Sequence, residues 1–152
     1  MNLIIRRLSG IVCSRITLSQ LLSLLPCLQY LRVDMISNDL SNWNLLIFKK
    51  TLRSLRIGFY RLNIDDLHVL IGSNLQRLYI DIYDEHSSMN YTYLGRLLMS
   101  LTRNLKQFNC DYRGIEMPLD QIKSSHRLFQ NMQSIESYSN DVIRLQCFHF
   151  RE

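Results

Sequence analysis

Asp84, His86 and Ser87 place the three side-chain types of a hydrolytic relay within four consecutive residues. Such a relay needs a base that bridges nucleophile and carboxylate in space, a geometry that groups this close along a chain rarely reach. Asp65, Asp66 and His68 form a second cluster. They open an apolar-periodic run, where carboxylates favour the positive end of a helix. Cys147 and His149 stand two apart, and no second ligand pair follows at zinc spacing. The chain contains no GxSxG, no HExxH and no phosphate-binding glycine loop. We therefore expect no catalytic residue, no metal site and no cofactor.

Recognition chemistry is better supplied. Lys49, Lys50, Arg53, Arg56 and Arg61 form a basic run with no acid between them, in a chain of net charge +5. Such a run can be the footprint of a polyanion. More often it is a solvated face, and Asp81, Asp84 and Glu85 follow in the next segment. Nucleic acid is thus not the expected partner, and anionic-ligand or RNA binding through Lys49–Arg61 stands as the alternative. A mixed-sign set is spaced at intervals along the chain: Tyr30, Arg32, Asp34, Arg56, Arg77, Tyr79, Asp81, Asn109 and Asp111. Tyrosine and arginine carry much of the energy of protein interfaces. These nine residues are the candidate partner-binding set.

The elements that must position them follow from the aliphatic pattern. Leu75, Leu78 and Ile80 have counterparts in Leu52, Leu55 and Ile57, in Leu28, Leu31 and Val33, and in Leu105, Phe108 and Cys110. Met132, Ile135 and Ser137 make a degenerate fifth copy, and Ile5, Leu8 and Gly10 a zeroth one. First positions lie 23, 24, 23, 30 and 27 residues apart. Strand side chains alternate between faces. With positions 4 and 6 inward, positions 3, 5 and 7 form outward columns. The third-position column reads Arg7, Tyr30, Ser54, Arg77, Gln107 and Ser134; the fifth reads Ser9, Arg32, Arg56, Tyr79, Asn109 and Glu136. The seventh reads Ile11, Asp34, Gly58, Asp81, Asp111 and Tyr138. Within the columns, Arg32 and Arg56 can also pair across strands with Asp34 and Asp81.

Helical clusters separate the strands: Leu21, Leu24 and Leu25; Leu45, Leu46 and Phe48; Leu67, Leu70 and Ile71; and Leu94, Leu97, Leu98 and Leu101. Thr17 and Gln20 stand in capping-box relation, and the helix they open should run to about Leu25, before Pro26. Asn63 should cap a helix that Gly72 ends. Trp43 should pack onto the edge of the Leu45–Lys50 helix. Pro118 should open a helix running through Leu128 and Phe129. The unit beginning at Leu75 is longer than its neighbours, and its excess falls in 83–93, where an inserted loop can be functional or neutral. Val142–Phe148 is β-prone, so residues 138–152 are expected to supply a strand capping the open end. The amino end shows no comparable cap, which leaves room for a longer parent chain.

A chain of 152 residues with 47% hydrophobic content can build one continuous core, and 1–152 is read as a single domain. Four cysteines without a dense framework suit a reducing compartment, with Cys110 as a small buried hydrophobe. Arg15 interrupts the first apolar run, which argues against a signal peptide, and no run approaches membrane-spanning length. We expect an intracellular protein, cytoplasmic or nuclear. Asn90-Tyr91-Thr92 is then a chance glycosylation sequon.

The copies Leu28-Gln29-Tyr30-Leu31-Arg32-Val33 and Leu52-Arg53-Ser54-Leu55-Arg56-Ile57 resemble the leucine-rich-repeat superfamily. The long, irregular units look most like the repeat region of intracellular F-box/leucine-rich-repeat proteins. The resemblance covers about residues 5 to 137. It implies an α/β leucine-rich-repeat solenoid: five to six irregular repeats, right-handed, with a parallel β-sheet on the concave face and helices on the convex face. It further implies a protein-interaction module that grips its partner with that sheet, as substrate receptors of F-box-type ubiquitin ligases do. No F-box segment is present, so contact with a ligase scaffold would need a segment this sequence lacks. The family's asparagine or cysteine at position 9 is met only by Cys13; Ile36, Tyr60, Tyr83 and Arg113 stand there instead.

Overall fold

The computed structural model describes residues 4–36, 50–60, 64–83, 89–112, 118–136 and 143–148. Five strands, β1 (Arg7–Cys13), β2 (Tyr30–Met35), β3 (Ser54–Phe59), β4 (Arg77–Ile82) and β5 (Gln107–Tyr112), lie side by side in chain order, each parallel to the next. Helices α1 (Arg15–Ser23), α2 (Ile64–Leu70), α3 (Tyr91–Leu101) and α4 (Leu119–Ser125) fall between or after them. Parallel neighbours need crossover connections, and helices are the usual solution. The protein is thus α/β with a sequentially ordered parallel sheet.

The register follows the aliphatic pattern. Leu31, Leu55, Leu78 and Phe108 are aligned partners, as are Val33, Ile57, Ile80 and Cys110. All eight are at most 1% exposed. They join Leu18 and Leu22 of α1, Leu67 and Leu70 of α2, Leu94 and Leu98 of α3 and Ile122 of α4 in one core. Each such leucine contributes about 1.5–3 kcal/mol by leaving water. The buried Thr102 hydroxyl donates to the Leu75 carbonyl at 2.9 Å, satisfying a polar group inside this core.

Several expectations are corrected. In β1, Leu8 pairs with Leu31 but Ile11, not Gly10, pairs with Val33. Gly10 adopts φ +73°, so one extra residue is accommodated there and Val12, rather than Ile11, stands opposite Asp34. A glycine cannot fill a core position, and the bulge turns Ile11 inward in its place. Helix α1 is capped by Ser14, whose side chain accepts from the Thr17 amide, not by Thr17. Its buried face is Leu18 and Leu22, while Leu24 is 74% exposed. Gly72 follows α2 but does not adopt the left-handed conformation of a glycine cap. Helix α4 stops at Ser125; His126 is extended, and Arg127–Phe129 form a separate 3-10 turn that His126 Nδ1 caps by accepting from the Leu128 amide.

The largest correction concerns the last copy. Strand β6 (Gln133–Glu136) does not continue the parallel series; β7 (Ile143–Phe148) inserts between β5 and β6, antiparallel to both. Ser134 and Glu136 therefore leave the columns in which the pattern placed them. The expected closing strand does exist, and it lies directly against β5. Trp43, the Leu45–Phe48 cluster, Asn63, residues 84–88 of the 83–93 loop, Gly114 and Tyr138 fall outside the described residues, while Tyr91 and Tyr93 belong to α3 and not to a loop.

Candidate binding face

The sheet face opposite the core carries the candidate set. Tyr30, Ser54, Arg77 and Gln107 are aligned, as are Arg32, Arg56, Tyr79 and Asn109, and Asp34, Gly58, Asp81 and Asp111. Columns three, five and seven therefore stand as the pattern placed them from β2 to β5.

A diagonal rule organises their contacts. A fifth-position side chain on one strand reaches the seventh-position carboxylate on the next, the diagonal neighbour distance of a sheet. Arg56 Nε donates to Asp81 Oδ2 at 3.0 Å, and the Tyr79 hydroxyl donates to Asp111. The Arg56 guanidinium also sits 4.1 Å from the centre of the Tyr79 ring, a cation–π contact. One strand earlier the same diagonal would lead from Arg32 to position 58, where Gly58 offers no acceptor. Arg32 is exposed and has no side-chain partner among the described residues. Of the two expected cross-strand pairs, Arg56–Asp81 forms, whereas Asp34 accepts from Tyr83 at 3.0 Å.

That last contact spans 49 residues and passes over Gly58. A Cβ at position 58 would lie 2.2 Å from Asp34 Oδ1 and 2.7 Å from the Tyr83 ring. Any side chain here would have to displace the tips of Asp34 and Tyr83 and so break their bridge. Tyr60 stacks obliquely on Tyr83, with ring centres 5.4 Å apart. The Tyr83 amide also donates to the Phe59 carbonyl at 2.8 Å, joining the two strands through the backbone.

Charges on this face are tuned by burial. Desolvation raises the Asp81 carboxyl above its ordinary value, and the hydrogen bond and charge of Arg56 offset this only in part. Burial acts to lower Arg56, but Asp81, followed by Tyr79 and Asp111, outweighs it and holds the guanidinium charged. Burial and then the Asp34 hydrogen bond push the Tyr83 phenol up to about 12. Asp81 and Asn109 are buried, at 6% and 7% exposure. Asp81 holds Arg56, and Asn109 accepts from the Gln107 amide at 3.4 Å. Tyr30 is half-buried beneath the Arg7 guanidinium, at 4.6 Å from its ring centre. Arg77 is exposed.

Sequence reasoning missed Tyr83 and the role of Gly58. The available signal was a tyrosine two residues past the strand positions of one unit, beside a glycine in the seventh position of its neighbour. The basic run divides in space: Arg56 belongs to this face, Lys50 and Arg53 line the strand-entry edge, and Lys49 and Arg61 lie outside the described residues. Asp84, His86 and Ser87 are outside them too, and Asn90 of the sequon caps α3 by accepting from the Tyr93 amide at 2.9 Å. Among the described residues, no group of three or more His, Cys, Asp or Glu could hold a metal ion, and no helix is long and apolar enough to cross a membrane.

Fold and face together define an α/β protein whose parallel sheet is sealed by helices on one side and presents a cross-linked, mixed-charge surface on the other. No family model, no curated protein and no solved structure matches the chain.

Proposed function

We propose that the chain is a leucine-rich-repeat solenoid that binds a protein partner through this sheet face, without catalysing a reaction. The observation that carries the reading is the diagonal network Arg56–Asp81 and Tyr79–Asp111, which holds aromatic and charged groups in fixed geometry beside two uncommitted arginines, Arg32 and Arg77. Side chains ordered before binding cost less entropy on association. Exposed guanidiniums suit planar, bidentate contact with partner carboxylates. The alternation of acids and bases along the columns favours a protein of matching pattern over a uniform polyanion.

The likeness to F-box/leucine-rich-repeat proteins extends this to a target destined for ubiquitylation, with an F-box supplied by another segment or subunit. Affinity capture with wild type and with Arg32→Ala/Arg77→Ala tests the face without touching the network. Partners retained equally by both proteins would reject the sheet face as the interface. A captured ligase scaffold would support the narrower assignment.

A further inference from the structure

We infer that the edge where the strands begin holds a second site, for a compact, multiply phosphorylated small molecule. It is independent of the sheet-face reading. A groove of about 460 Å³ runs along this edge, lined by Arg6, Gln29, Lys50, Arg53 and Gln76, with Cys27 at its wall. Its lining contains no carboxylate.

The backbone hydrogen bonds leave the groove rich in cationic donors. The carbonyls of Arg6, Gln29, Arg53 and Gln76 each accept two backbone amides from the neighbouring unit: Gln29 and Tyr30, Arg53 and Ser54, Gln76 and Arg77, and Lys106 and Gln107. Both lone pairs of each carbonyl are therefore committed. The Lys50 carbonyl is taken by the Asn74 amide at 2.7 Å. Beside these carbonyls the edge carries two guanidiniums and one ammonium, which only donate, and the carboxamides of Gln29 and Gln76, which donate through nitrogen and accept through oxygen. No side-chain partner holds any of these five among the described residues.

Arg6, Gln29 and Arg53 enter successive strands. With neighbours about 4.8 Å apart, the two arginine backbones stand on the order of 10 Å from each other, within converging reach of long side chains. Three cations in a bounded groove of small-ligand size match a few phosphoryl groups. A nucleic-acid track of appreciable affinity neutralises roughly 6–10 phosphates. The observations therefore favour a small ligand.

Inorganic triphosphate is the probe, titrated calorimetrically into the full chain at about 0.15 M salt, where the screening length is about 8 Å. Binding should weaken about tenfold or more in Lys50→Ala/Arg53→Ala, the consequence of losing two charge-assisted contacts. It should stay within about twofold in Arg32→Ala/Arg77→Ala, whose charges lie on the sheet face, where screening separates them from the groove. Should the first variant fail to fold, Arg53→Gln alone carries the comparison. Because Cys27 is exposed and lines the groove, triphosphate should also slow its alkylation, followed peptide by peptide. The absence of binding, equal losses in both variants, or an unchanged Cys27 rate would overturn the site. So would a single-stranded oligonucleotide that binds more tightly than triphosphate, since it would indicate a polymer track. Loss of partner capture with triphosphate binding intact would bear on the sheet face alone.

Discussion

Gly58 lies under the Tyr83–Asp34 bridge, and its missing side chain has two effects: it clears space for the bridge, and it leaves Arg32 without a diagonal acceptor. Gly58→Ala should therefore destabilise the protein by about 1–3 kcal/mol, the range for forcing extra volume into a filled site. The cost should fall below about 1 kcal/mol in an Asp34→Ala/Tyr83→Ala background. Urea denaturation of the four proteins completes the cycle, and an unchanged cost would mean that the clash lies elsewhere. Tyr83 itself gives a pH signature. Its phenol titrates near the ordinary value of 10.0 when unfolded and at about 12 when folded, so between these values the unfolded chain holds fewer protons. Stability from this group is complete below the lower value and is lost as pH rises through the upper one. An alkaline melting series should show a steeper decline in wild type than in Tyr83→Phe, and parallel curves would count against the bridge. None of this was visible from local pattern, because the contact joins residues 49 apart.

At the scale of elements, the sequence was most informative where one face is buried. A one-residue slip would turn Leu31, Leu55 and Leu78 to solvent, so the aliphatic triplets determine the alignment of β2 to β5. The same logic fails at β1, whose third aliphatic is replaced by Gly10. It fails again at α1, where Ser14 and Thr17 are both plausible caps. Their hydroxyls lie 3.0 Å apart, and burial of Leu18 decides for Ser14. Asn90 caps α3 in the same manner, with Tyr91 buried behind it. Asn90→Ala should cost about 1 kcal/mol, while Asn90→Asp should retain most of the cap. Thermal melts followed by far-ultraviolet dichroism distinguish the two, and equal losses would assign Asn90 a role other than capping.

For the whole molecule, the ends matter more than the middle. The partner of β5 could not be read from period, since the Met132–Ile135–Ser137 copy is weak and edge amides accept any strand that arrives. The structure places antiparallel β7 there, with β6 beyond it. Ending the chain after Glu136 removes β7 and uncovers the backbone of β5, an open template for another molecule. Light scattering should then show association that rises with concentration, whereas a stable monomer would mean that β5 needs no cover. At the opposite margin β1 has a neighbour on one side only among the described residues, and Ile4 and Val12 are each 61% exposed. Here the left-handed kink at Gly10 interrupts the row of donors and acceptors after Leu8. An incoming strand could zip along only a short stretch before losing step, so copies of this protein are hindered from growing into fibres through their first strand.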